Sequence, residues 1–174
     1  MQRPRFILFL VTAAVLFLVL QRLYVHVRNN HESFLNDTLN GAPSAFVINT
    51  LTPDENVAVS DGNISRNGAQ AVNIKKGCEG FEVAILLVSV MAAFPMPWRR
   101  KVLGVVLGVL LVHVLNIVRI VSLYYLSIYR PKLFQLFHVT VWQVVIILLA
   151  MLFFFCWIDR VPAAAPEPKK KPVS

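Results

Sequence analysis

The sequence predicts an all-α integral membrane protein with four transmembrane helices and one long external loop, residues 26–77, that contains short β segments. Three observations predict it. Hydrophobic residues make up 57% of the 174-residue chain and charged residues 15%, where an ordinary soluble domain is ~45–50% apolar and ~25% charged. A chain this short exposes much of its surface and cannot hide that excess in a core. The apolar residues fall in four runs, and Lys and Arg sit in short clusters at the ends of those runs, where membrane topology places them. The formal net charge of +8 therefore reads as topology, with the lipid bilayer as partner and no nucleic acid. Two cysteines so far apart in sequence, Cys78 and Cys156, make no disulfide framework.

The first run spans residues 6–20, with Arg3 and Arg5 before it and Gln21-Arg22-Leu23-Tyr24 after it. Without a small-x-small cleavage site it reads as an uncleaved signal anchor over residues 1–25 rather than a removed signal peptide. The second run, residues 83–97, is short and closes on Phe94-Pro95-Met96-Pro97. The third, residues 102–126, carries His113, Asn116 and Arg119 inside it, and the fourth, residues 139–158, is nearly unbroken. At ~1.5 Å per residue each reaches across a ~30 Å hydrocarbon core, the second only just. Backbone groups in lipid must pair internally, so the runs should be helices.

Four crossings place Arg3 and Arg5, then Arg99, Arg100 and Lys101, then Arg160, Lys169, Lys170 and Lys171 on one side, expected to be the cytoplasm with both termini. The other side receives the loop, which is slightly acidic. Within it Asn56–Ser60 and Ala69–Ile74 look like strands, with Asp61-Gly62 as a hairpin-type turn. Residues 78–159 form the expected three-helix core, and residues 160–174, rich in Ala, Pro and Lys, a disordered basic tail. Asn36-Asp37-Thr38 and Asn63-Ile64-Ser65 match the glycosylation sequon, a short pattern that arises by chance.

An ionisable residue inside a membrane segment is a functional candidate. Arg119 lies ~26 Å along the third helix, near its external end. Snorkelling to headgroups is the ordinary explanation for such an Arg. Asn116, three residues earlier on the same face, makes a polar stripe that should face protein rather than lipid. Cys78 stands in Gly77-Cys78-Glu79-Gly80 at the external start of the second helix. The glycines permit a tight turn and close approach of another backbone, and a helix N-terminus favours thiolate. A lone cysteine on the external side is a liability unless it has a use. Cys156, near the cytoplasmic end of the fourth helix, reads as a buried apolar filler.

His138 opens the fourth helix on the external side, with Trp142 one turn on; alone, it reads as an ordinary interfacial residue. His113 reads as a packed polar contact between helices, and His26 and His31 as solvated loop residues. No His or Cys pair has metal-ligand spacing, so no metal or other cofactor is expected. Topology from charge alone thus brings Cys78, Arg119 and His138 to one membrane face. A thiol, an imidazole and a guanidinium at one depth supply a nucleophile, an acid or base, and an oxyanion stabiliser.

At these residues the chain resembles the exosortase/archaeosortase family of membrane cysteine proteases and transpeptidases. The resemblance rests on Gly77-Cys78-Glu79-Gly80, then Asn116-Ile117-Val118-Arg119-Ile120, then His138, in that order, and covers residues 72–158. The short chain with one helix before the loop looks like the compact exosortase H type. The resemblance implies Cys78 as nucleophile, Arg119 and His138 as its catalytic partners, and Asn116 as a support for Arg119. It implies partners that are exported proteins with a C-terminal sorting signal: a motif, one transmembrane helix and a basic cluster. It also implies a bacterial inner membrane, with the site facing the periplasm. Glu79 departs from the family, which commonly has a small or neutral residue there; its carboxylate opposes thiolate formation unless Lys75 or Lys76 pairs with it. The competing reading is a non-enzymatic membrane scaffold, in which Cys78, Arg119 and His138 would tolerate replacement independently. A thiol redox protein would need a second cysteine on the same face, and a transporter a pair of broken helices.

Overall fold

Long helices set the architecture, as the apolar runs demand. A computed structural model describes residues 3–67, 69–74 and 80–160. Helix α1 (Arg3–Ser33) runs through a π-helical stretch (Phe34–Gly41) into α2 (Ala42–Leu51). Strands β1 (Val57–Ser60), β2 (Asn63–Arg66) and β3 (Ala69–Asn73) follow, then α3 (Phe81–Ala93), α4 (Trp98–Tyr129), α5 (Pro131–Leu136), a π-helical turn (Phe137–Val141) and α6 (Trp142–Asp159).

Among the described residues three helical stretches, Arg5–Leu51, Trp98–Tyr129 and Pro131–Asp159, are long and apolar enough to cross a membrane. The expected second crossing is different. Helix α3 has 13 residues, about 20 Å, against a core of ~30 Å. Its limits are local. Gly80, at φ +75°, cannot extend it backwards, and Phe94 is extended (φ −69°, ψ 133°) because a residue preceding proline is pushed out of the helical region. The structure therefore has three long apolar helices and a short one where the sequence predicted four full spans.

The loop expected over 26–77 is helical as far as Leu51. Leu35, Asn36, Asn40, Ser44, Ala45 and Ile48 are buried on it, so half of the inward stripe is polar and hides the helical periodicity. His26 and His31 are accordingly exposed residues of α1 rather than of a loop. Residues 129–138 are also mostly helix: only Arg130 separates α4 from α5.

The two expected strands are present with a third between them. The order is β1-β2-β3, antiparallel throughout. Asp61 (φ 50°) and Gly62 (φ 73°) form the two-residue turn, with Ser60 opposite Asn63, the left-handed pair that a tight hairpin needs. The Asp37 carboxylate accepts the amides of Asp61 and Gly62 at 3.1 and 2.6 Å. Asn49 of α2 holds β1 in the same manner as a neighbouring strand: it accepts Val57 N–H at 2.8 Å and donates to Val57 C=O at 2.9 Å.

Helix α4 has 32 residues, about 48 Å, and serves two cores. Its final turns pack Ile120, Val121 and Tyr124 against Ala45 and Ile48 of α2 and Val57, Ile64, Val72 and Ile74 around the sheet. Tyr124 Oη donates to the buried Glu55 carboxylate at 2.7 Å, and Arg66 pairs with the same carboxylate. Lower down, Leu87 and Met91 of α3, Val112 of α4, and Ile146 and Ala150 of α6 form a second core. There Gly104 and Gly108, one helical turn apart, let neighbours approach α4 closely: a Cβ at Gly108 would stand 2.7 Å from Leu87 and 2.9 Å from Phe153, and one at Gly104 would strike Met91 and Trp157. Small residues four apart are a membrane helix-packing device.

Contacts also fix the ends. Phe9, Phe94 and Phe154 meet edge to face at 5.9 Å each, and Arg100 donates to Arg160 C=O at 2.6 Å. The start of α1, the α3–α4 link and the end of α6 thus share one end of the bundle, with Arg5, Arg99, Arg100, Lys101 and Arg160; the sheet occupies the other. Residues 161–174, the expected tail, lie outside the described residues.

Gly108→Leu should lower the unfolding midpoint in detergent by an amount equivalent to ~1–3 kcal/mol of overpacking, with Gly104→Leu similar; a scan of tryptophan fluorescence against temperature checks it.

Candidate active site

Arg119, Asn116, His138 and Gly80 meet at the sheet-side end of the bundle. Arg119 is 4% exposed, so it points into protein and does not snorkel. Its Nη2 donates to the backbone carbonyl of His138 at 3.0 Å. That carbonyl is open for a structural reason. In the π-helical turn, Trp142 donates its amide to Phe137 O, five residues back, instead of to His138 O, four residues back. A regular α-helix would have occupied the acceptor. Tyr24, Gly80, Glu82, Gln143 and Arg119 line one cleft.

Asn116 is fully buried. Its Nδ2 donates to Asn40 Oδ1 at 3.0 Å, and Asn40, also fully buried, donates to Leu35 O at 3.1 Å. Among the described residues Asn116 Oδ1 has no hydrogen-bond partner, and it faces Gly80. A Cβ on Gly80 would lie 3.0 Å from Asn116 Cγ and 3.2 Å from Oδ1. With φ at +75° as well, the position demands glycine twice over. The close approach expected at this glycine is real, and its partner is a side chain.

The His138 imidazole stacks on Phe134 of α5, centroids 5.5 Å apart and planes 12° apart. Cys78 lies outside the described residues, with Gly77, Glu79 and the lysines expected to pair with Glu79. His113 makes no hydrogen bond among the described residues; it borders an apolar groove with Leu39, Gly80, Phe81, Ala84 and Val109 rather than bridging helices through a polar contact. Cys156 is exposed on α6, not buried filler; α6 has apolar residues all round, so an apolar position there need not face protein. Of the two sequons, Asn36 is buried at 4% exposure, and Asn63 accepts from Asn73 Nδ2 at 2.5 Å. No group of three or more His, Cys, Asp or Glu among the described residues is placed to hold a metal.

Sequence reasoning missed Asn40, Tyr24 and Gln143. The available signal for Asn40 was Asn36, Asn40 and Ser44 at four-residue intervals, a polar stripe mistaken for loop.

These features define a multi-helix membrane protein with a buried arginine–asparagine site beneath a small sheet. A family model described as transmembrane exosortase (Exosortase_EpsH) matches residues 5–156. The chain belongs to the transmembrane exosortase family. Searches of curated proteins and of solved structures gave no match.

Gly80→Ala should destabilise the protein by ~1–2 kcal/mol from the left-handed backbone alone, with a further loss from displaced Asn116; thermal unfolding of the variant beside Gly80→Asn, a residue that tolerates positive φ but still clashes, separates the two contributions.

Proposed function

We propose that the chain is a membrane cysteine endopeptidase or transpeptidase that cleaves the C-terminal sorting tails of exported proteins. The observation that carries this reading is the buried Arg119 guanidinium, held on the His138 backbone beside Gly80. Cys78 precedes Gly80 by two residues, and two residues of chain reach at most ~7 Å. Thiol and guanidinium can therefore serve one reacting centre, and the reading assigns the His138 imidazole to the same centre.

In the proposed reaction the Cys78 thiolate adds to the scissile carbonyl, and Arg119 stabilises the oxyanion. Collapse of the tetrahedral species breaks the C–N bond. His138 delivers a proton to the departing amine, which leaves with the tail helix. Water or an acceptor amine then attacks the Cys78 thioester and restores the thiol. Asn116 supports the site from α4. Arg119 lies about 27 Å along α4 from Lys101, close to one hydrocarbon thickness. With the basic end in the cytoplasm, the site then sits at the periplasmic interface of a bacterial inner membrane. A substrate helix entering from lipid would present its scissile bond there.

The test is co-expression with a tail-bearing exported protein from the same genome, read by gel shift and mass spectrometry of the new C-terminus. Wild type should process it and Cys78→Ala should not; equal processing by both overturns the reading in favour of a scaffold. Arg119→Ala should lose ~10²–10³-fold in rate, the usual worth of an oxyanion donor, and His138→Ala should lose ~10²–10⁴-fold.

A further inference from the structure

We propose that the lipid-facing furrow between α3 and α6 seats a partner's membrane-spanning helix, and that Asp159 selects a helix with a basic cytoplasmic end. The inference rests on the preceding reading for its orientation in the membrane and for the identity of that helix, a sorting tail. Three hollows adjoin along this seam. Val83 and Ile146 border the Arg119 cleft. Val83 also opens an apolar furrow that passes Leu86 and Val90 of α3 and Ile147, Met151 and Phe155 of α6. Phe155 in turn borders a hollow that ends on Ile158 and Asp159. Leu87 and Ala150, on the floor of the furrow, are buried, whereas Leu86, Met151 and Phe155 on its rims are half exposed.

Length decides the kind of occupant. From Gln143 at the cleft to Asp159 the track follows α6 for about 24 Å. One acyl chain reaches half of the hydrocarbon core, ~15 Å, and stops short, whereas a helix crosses all of it. Ala150 lies partway along the furrow, and a small residue lets a second helix approach closely. Charge narrows the choice further. Among the described residues Asp159 is the one carboxylate at the basic end, and it is exposed. Arg99, Arg100, Lys101 and Arg160 stand at the same end, yet none forms an ion pair with it. Two of these cations serve helix ends instead: Arg100 donates to Arg160 C=O at 2.6 Å and Lys101 Nζ to Ala92 C=O at 2.5 Å. Membrane-spanning helices carry Lys and Arg at their cytoplasmic ends. A helix seated in the furrow brings that flank to Asp159 and its opposite end to the Arg119 cleft.

The experiment is photocrosslinking in cells that make the full chain with p-benzoylphenylalanine at one position. The probe is an exported reporter protein that ends in a Leu/Ala helix of ~20 residues and a short Lys flank. Leu86 and Met151 should each capture it at least about fivefold better than Leu18 of α1 or Leu103 of α4, exposed positions outside the furrow. Should the Leu86 position disturb folding, Met151 decides. Asp159→Lys should lower the Met151 yield about three- to fivefold, the worth of an exposed charge pair. A probe with a Gln flank should not distinguish that variant from the parent. Uniform yields at all positions, capture of lipid or of a second copy of this chain in place of the probe, an unaltered yield in Asp159→Lys, or a loss that extends to the Gln-flanked probe overturns the proposal. No cleavage is read. Position-specific capture by a chain that processes no sorting tail would retire the protease reading and leave the helix seat standing; tail processing with uniform capture would overturn the seat alone.

Discussion

The buried guanidinium of Arg119 imposes the central constraint. Its donors need acceptors, and a bundle of regular α-helices offers few free ones, because nearly every main-chain carbonyl is already bonded within its own helix. The structure meets the constraint by a local defect. Five residues of π-helix ahead of α6 redirect one amide and leave the His138 carbonyl facing Arg119. One irregularity therefore gives the cation a main-chain acceptor and fixes where the backbone of the histidine stands.

The other π-helical stretch meets α4 one turn away, at Asn116. It brings Asn40 to Asn116 and Asp37 to the sheet turn. Helix α4 is the element that both stretches bond. Its lower part is smooth at Gly104 and Gly108, so that α3 and α6 pack tightly. Its upper part carries Tyr124 and Tyr125, which bond Glu55 and Thr52 and hold the sheet domain. The polar site lies between the two cores, with Val83 and Ile146 of the lower one lining its cleft.

Much of this was legible from residue type. The apolar runs, the basic clusters at one end, the Asp61-Gly62 turn and the polar stripe of Asn116 and Arg119 all follow from chemistry that acts over a few residues. Other features depended on partners distant in sequence. Residues 26–51 read as loop because their inward face carries asparagine and serine; Asn40 and Ser44 bond carbonyls of the turn before them, and Asn40 Oδ1 also accepts from Asn116 of α4. The span of α3 was overcounted because hydropathy does not register the helix-ending conformations at Gly80 and Phe94. Strand β2, with Asn63 and Arg66 at its ends, has little strand character of its own and forms because both neighbours flank it. Neither π-helical segment leaves a trace in composition, although both carry residues of the candidate site.

A π-helical turn amounts to one residue more than a regular helix would contain. Removing a single residue from Phe137–Val141 would let the turn relax into ordinary helix, which closes the regular bond onto the carbonyl that Arg119 uses. Phe153 and Trp157 would keep nearly the same faces toward Gly108 and Gly104, so the loss would fall on the buried guanidinium and not on that seam. The length of this five-residue segment is therefore as constrained as the identity of any side chain in it. Sequence changes by substitution should be tolerated there far more readily than changes by deletion.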